Sequence, residues 1–350
     1  MQTKFRLVRH TCVLIALVSV TTAAPTSAQE LYVLGKQQGQ ARSFVQQYSY
    51  SGQEIEMHVL GAVSGYRAIA AEGLRGPRTL YIAGGTALSS LERITLEDGA
   101  VAVLLTGYNA YAVASDPINA RIYFGVSSGA IFSSTYDGTD VREVYPVPSG
   151  VQSITAMAID PNGGWLYWAA SRAVRRMPLG GGPVEVIVGP YPPGPEQPYV
   201  AWDIALDLVH DQLYWSEWDI LQQGEAPFQT SGRIVRSNLD GSNPQVAVQD
   251  YRYDDVPGVP EIGINPKSFA IDPVAGILFA YDDQNGHLVK YCLDGSCYDD
   301  DFEGPNLSYD PIDMAVIPAI PEPSTAALAV VGVAAMLAWR RRFRRTSRRA

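Results

Sequence analysis

Side chains able to do chemistry are few and scattered in this sequence. The histidines stand at 10, 58, 210 and 287, and no two share a metal-ligand spacing. His210 falls in a short link between Asp207 and Leu213, and His287 follows Asn285-Gly286, so both are expected in solvated loops. No phosphate loop ending Gly-Lys-Ser/Thr and no His-Glu-x-x-His motif occurs, and no catalytic residue is assigned. The acidic runs Asp299-Asp300-Asp301 and Asp282-Asp283-Gln284-Asn285 carry oxygens of the kind Ca2+ takes, without the spacing of an EF-hand loop. The expectation is no cofactor and no metal, with Ca2+ as the alternative.

Charge narrows the partners. The chain has 350 residues, 26 Lys plus Arg and 36 Asp plus Glu. The bases crowd at the two ends, so residues 29–318 hold 16 basic and 35 acidic side chains, a net of −19. Such a surface repels phosphate backbones, and nucleic acid is not expected as a partner.

The elements that must position any site come in repeats. Apolar-Ala-apolar-Asp segments occur at Met157–Asp160, Ile204–Asp207 and Phe269–Asp272, with looser copies around Ala70, Ala114 and Ala315. These alanines are 44, 44, 47, 65 and 45 residues apart, close to the length of a four-stranded propeller blade. Six residues after Asp116, Asp160, Asp207 and Asp272 start Ile122-Tyr123-Phe124, Leu166-Tyr167-Trp168, Leu213-Tyr214-Trp215 and Leu278-Phe279. Pro117, Pro161 and Pro273 predict a tight turn in that link. Asp98-Gly99, Asp137-Gly138, Gly180-Gly181, Asp240-Gly241 and Asp294-Gly295 predict primed two-residue hairpin turns after a third strand. Additions near 222–230 and 251–265 lengthen one unit, and loops on rigid scaffolds often carry function.

The reading is an all-β protein, a propeller of six four-stranded blades over residues 29–318. The chain starts with a second-type strand, Leu31–Leu34, and ends with a first-type strand, Ile312–Ile317, so these two are expected to close the ring in one blade. Innermost strands converge at the axis, which explains the repeated alanine. This region resembles the YWTD-type propeller of low-density-lipoprotein-receptor class B repeats. Its best copy runs from Leu213-Tyr214-Trp215-Ser216-Glu217 to Leu239-Asp240-Gly241. In that family an acidic residue follows the Thr, a role that Glu217 and Asp282 would fill here, and the resemblance implies that they brace the blades.

The ends address the protein. Lys4, Arg6 and Arg9, the apolar run Cys12–Val20 and the small residues ending at Ala28 make a signal peptide over residues 1–28. Residues 319–350 form a tail with Pro321-Glu322-Pro323, an apolar segment Ala326–Trp339 that makes a short transmembrane helix, and a cluster of arginines from Arg340 to Arg349. This resembles the PEP-CTERM sorting tail of Gram-negative bacteria. The resemblance implies recognition by an exosortase, cutting near Pro321-Glu322-Pro323, an inner-membrane anchor before processing, then a place on the cell surface or outside, and a link to exopolysaccharide. After Cys12 leaves with the signal, Cys292 and Cys297 remain, and a hairpin at Asp294-Gly295 would set them opposite each other for a disulfide.

Binding residues are expected where the inner strands enter the channel, two or three positions ahead of each repeated alanine. Tyr111 and Trp202 would offer flat faces to a sugar ring or an apolar side chain, and Arg67, Lys267, Asp203 and Asp313 would orient it. The expected function is an exported, envelope-sorted, non-enzymatic propeller that binds a protein or polysaccharide partner, possessing a role in the extracellular matrix. The alternative is a calcium-dependent lactonase or hydrolase-type propeller enzyme.

Overall fold

Strand-forming aromatic and branched residues, cut every few positions by Asp, Gly and Pro, leave no room for a helical period, and the regular structure among the described residues is all strand. The computed structural model describes residues 30–317 except 38–41, 62–64, 73–77, 85–89, 147–152, 171, 190–198, 220–231, 251–260, 263–267, 283–286, 295–297 and 300–308. The signal peptide and the sorting tail lie outside the described residues. Among those described, no helix is long and apolar enough to cross a membrane.

Six antiparallel sheets form the six expected blades. The second blade runs from Ala68–Glu72 at the axis to Ala100–Leu105 at the rim, the third from Ala110–Asp116 to Arg142–Tyr145 and the fourth from Ile154–Asp160 to Glu185–Val188. The fifth starts at Tyr199–Asp207 and the sixth spans Phe269–Asp272 to Tyr298–Asp299. The first blade is built from both ends of the propeller. Its innermost strand is Tyr309–Ile317, paired with Glu30–Gln37 from Glu30 opposite Ile317 to Gln37 opposite Tyr309. The expected closure is therefore present.

Two details differ from the repeat reading. The fifth blade has five strands, because Glu261–Ile262 lies parallel to the rim strand Gln245–Asp250. A two-residue parallel strand has no periodicity to reveal it. The hairpin turns at Asp137-Gly138 and Asp240-Gly241 are also not two-residue primed turns, while Gly295 of the Asp294-Gly295 turn lies outside the described residues. The Gly138 N–H donates to Thr135 O and the Thr135 N–H to Thr139 O, with positive φ at Gly138 and not at Asp137. Gly241 repeats the pattern with Asn238 and Ser242. This is a three-residue hairpin closed by a glycine bulge, in which only the glycine needs left-handed backbone. Gly241 is doubly constrained, since a Cβ there would lie 2.3 Å from Ile187 O of the fourth blade.

The core consists of six interfaces between neighbouring blades. One joins Leu31 and Phe44 of the first blade to Phe279 and Leu288 of the sixth, and another joins Tyr123 and Ile131 of the third to Trp168 and Met177 of the fourth. Each blade is thus held by its neighbours rather than by a central core. The axis stays open.

Candidate functional site

The six repeated alanines, Ala70, Ala114, Ala158, Ala205, Ala270 and Ala315, all line one cavity on the axis, of about 280 Å3. The inner strands contact one another in a closed circle and run the same way, so the channel has an entry end and an exit end.

Entry residues are set apart by their backbone. In the third blade Ala110 pairs with Val126 and Ala112 with Gly125, which leaves Tyr111 as an extra residue in a bulge. The same break in register falls at Thr155, at Trp202-Asp203 and at Ile312. A bulge re-aims the side chain it carries, and here it does so three positions ahead of the alanine in four blades. Trp202 is 37% exposed. The Arg67 guanidinium lies over the Tyr111 ring at 4.0 Å, so two of the expected site residues are brought together in a cation–π contact. Lys267 lies outside the described residues.

Asp203 and Asp313 sit deeper than a mouth position. Asp203 Oδ1 accepts the Ile204 N–H (2.8 Å) and its Oδ2 accepts the Phe269 N–H of the sixth blade (3.0 Å). Asp313 repeats this from the first blade to the second, accepting the Met314 N–H (2.9 Å) and the Ile69 N–H (2.8 Å). Each carboxylate therefore ties its strand to the next. Burial pushes the Asp313 carboxyl up to about 7, and burial together with the charge of Asp313 pushes Asp203 well above the usual carboxylate range. Ser268 Oγ, between them in the ring, lies 3.5 Å from Asp313 Oδ1.

The exit end follows one rule. Asp116, Asp160, Asp207 and Asp272 each close their inner strand by accepting, on Oδ1, the N–H groups two and three residues on: Ile118 and Asn119, Asn162 and Gly163, Val209 and His210, Val274 and Ala275. The fourth residue on, Ala120, Gly164, Asp211 or Gly276, has positive φ in every case. In three blades its carbonyl accepts the N–H that opens the third-strand turn, as Leu179 to Gly164, Leu239 to Asp211 and Leu293 to Gly276. The expected tight turn is therefore present; the aspartate satisfies its amides in all four blades, and the fifth forms it with Leu208 where the other three have proline.

Sequence reading also missed how the blades are tied together. Glu217, one of the two expected braces, accepts Trp215 Nε1–H and Arg233 Nε–H (2.7 Å each), and the side chain of the other, Asp282, lies outside the described residues. Besides the Asp203 and Asp313 ties, four run from long side chains to turn carbonyls of the next blade: Tyr123 to Leu179 O, Arg176 to Leu239 O, Arg236 to Leu293 O and Lys290 to Tyr50 O, and Glu72 accepts from Ser115 and Tyr136 of the third blade. Tyr50 Oη also donates to Asp272 (2.9 Å), and burial, then the Asp272 charge, pushes its hydroxyl far up.

Gly125-Val126-Ser127-Ser128-Gly129 has the spacing of a nucleophile elbow, a match that the sequence reading passed over. It forms the hairpin between Arg121–Val126 and Ile131–Thr135, not a strand-to-helix turn. His210 is exposed and pairs with Asp207 (2.8 Å). Among the described residues no group of three or more His, Cys, Asp or Glu could hold a metal ion.

Residues 319–342 match the family model described as PEP-CTERM protein-sorting motif. The chain is an exported, PEP-CTERM-sorted β-propeller. It is sorted to the envelope, and its motif implies processing by an exosortase-type system. No curated protein matches it in sequence. Among solved structures it is similar to a chain of a nidogen–laminin complex, at 14% identity over 83% of this chain and 98% of that one, TM-score 0.59. TolB from Acinetobacter baumannii is similar at 12% over 84% and 67%, TM-score 0.55. A GH74 enzyme from Niastella koreensis is similar at 13% over 77% of this chain and 45% of its own, TM-score 0.50. At these identities the likeness is one of fold, and the resemblance to YWTD-type propellers holds at that level.

Proposed function

We propose that this protein is a non-enzymatic binding propeller of the cell envelope or extracellular matrix, which takes a protein or polysaccharide partner at the entry mouth of its channel. The observation that carries this reading is the row of bulges, which turns Tyr111, under the Arg67 guanidinium, and Trp202 of the fifth blade out of the ladder. Aromatic faces with a nearby cation suit sugar rings and apolar side chains rimmed by hydroxyls or carboxylates. Lys267, one position before the described Ser268, would add a second donor. Asp203 and Asp313 support binding over hydrolysis, because each already holds two main-chain N–H groups.

The same reading takes residues 1–28 as a signal peptide cut after Ala28, residues 29–318 as the mature propeller and residues 319–350 as a tail held in the cytoplasmic membrane until processing. Intact-mass analysis of cell-associated protein tests both cuts. We further propose the Cys292–Cys297 disulfide. Cys292 ends its strand and Cys297 lies outside the described residues, but the pairs Lys290–Asp299 and Tyr291–Tyr298 lead to it by count. Alkylation of the native exported protein should find no free thiol.

For binding, the purified propeller is titrated with the producing cell's own polysaccharide. Trp202→Ala and Tyr111→Ala are expected to weaken binding about ten-fold each, with little change in melting temperature. Equal affinity in both variants would remove the entry mouth as the site. Turnover of a lactone by the wild type, lost in Asp313→Asn, would favour the enzymatic alternative.

A further inference from the structure

At the exit end, the residue two places after each clamping aspartate has its N–H held and its side chain turned outward. In the third, fifth and sixth blades that residue is Ile118, Val209 and Val274, at 42%, 58% and 51% exposure. Turns ordinarily display Gly, Asn or Asp at such places, and branched apolar residues there give up the hydration advantage of a polar side chain. Single exposed apolar residues are commonplace on proteins; three at one structurally equivalent position around one axis form a crown. The crown is also rigid, because the Asp207 and Asp272 turns are bonded in turn to the third-strand turns at Leu239 and Leu293.

Around it stands an acidic rim. The third-strand turns of the same face carry exposed Asp98, Asp137, Asp240 and Asp294. The innermost strand of the first blade also leaves the propeller here, at Ile317, and the sorting motif starts at residue 319. One residue separates them, at most a few ångströms of chain. Whatever binds the start of the motif must therefore come close to this face.

We propose that the exit face is the docking surface for the membrane-embedded sorting enzyme that recognises residues 319–342, with Ile118, Val209 and Val274 entering an apolar patch and the aspartate rim meeting Lys and Arg around it. Charge complementarity favours a protein over the bilayer itself, since an acidic rim is repelled by anionic lipid. This inference rests on the sorting motif and not on the binding reading of the entry mouth, so either can fail alone.

Photo-crosslinking in the producing cell tests it on the full chain. Ile118→p-benzoylphenylalanine, and the same replacement at Val209 and Val274, should crosslink to the sorting enzyme, whereas Val186, 50% exposed on the fourth-blade rim, should not. In parallel, Ile118→Ser, Val209→Ser and Val274→Ser combined should slow processing about ten-fold while the purified propeller melts as the wild type does. Crosslinks to lipid alone would overturn the proposal in favour of membrane seating. No crosslink from the crown, equal crosslinking from Val186, or an unchanged processing rate would overturn it as well.

Discussion

At the exit end of the channel four turns share one construction, down to a left-handed residue four places after the aspartate, whereas at the entry end the bulged residues are Tyr111, Thr155, Trp202 and Ile312. The exit turns reverse the chain in four residues between paired strands, and such a turn leaves its amides without ladder partners, so an acceptor must be supplied. The entry bulges have their ladder on both sides, and what side-chain help they take differs from blade to blade, as where Ser216 Oγ accepts the Asp203 N–H. Uniformity thus marks where backbone amides have to be satisfied by one residue type, and variety marks where no single side chain is required. The same contrast runs within the Tyr-Trp pair of blades. Trp215 has Glu217 as acceptor, while Trp168, in the otherwise similar Leu166-Tyr167-Trp168, has Ala170 at that place and a buried Nε1–H with no partner among the described residues.

The largest test is removal of residues 310–318. It takes away the strand paired with Glu30–Gln37 and the Asp313 tie to Ile69, and it should cost more than about 5 kcal/mol, enough to abolish a cooperative melt. A truncated protein that melts like the intact one would refute ring closure. Next in size are the exit clamps. Asp116→Ala, Asp160→Ala, Asp207→Ala and Asp272→Ala should each lose about 1–2 kcal/mol in urea titrations, since each orphans two amides. Trp202→Ala should stay within about 0.5 kcal/mol. A costly Trp202→Ala beside silent clamp variants would reverse the contrast between the two ends.

A pH series sharpens it further. The Asp313 carboxyl, ordinarily near 3.8, is pushed up to about 7 in the folded protein. Between those values the native state holds a proton that the unfolded chain has released, so stability falls as pH rises from about 4 to about 7 and then levels off. In Asp313→Asn the slope over that window should shrink by about one proton, measured by urea unfolding at several pH values. An unchanged slope would show that Asp313 is ionised in the fold. The smallest effect is expected at Ala120, whose φ of 51° suits glycine. Ala120→Gly should gain a few tenths of a kcal/mol, the relief of strain being partly offset by the freer unfolded chain. Loss of stability there would mean that the turn is not strained.

The blades were legible because each is written six times. Alanines on the axis, the Tyr-aromatic second strands and the glycine turns recur at near-constant spacing, and the closing strand followed from counting them. Register was not legible. The bulges that set off Tyr111 and Trp202 exist only relative to a partner strand, and composition around them looks like ordinary strand. Asp203 and Asp313 were read as mouth residues because their position was judged along the strand alone; the neighbouring blade that buries them comes from far away in the chain. The ties from Tyr123, Arg176, Arg236 and Lys290 end on carbonyls, which every residue has, so no residue type announces them.

The pairing of Glu30–Gln37 with Tyr309–Ile317 also sets the order of events during export. The first blade to emerge is the last that can be finished, because its axial strand is the last of the propeller to arrive. Until then the inner edge of Glu30–Gln37 offers unpaired amides and carbonyls to any passing strand, and contacts of such long separation form slowly. A translocating chain therefore remains open and adhesive until residue 317 has crossed, and the sorting motif follows within two residues. Ring closure and presentation of the motif fall almost together in time, so the propeller is handed on for sorting at the moment its ring can shut.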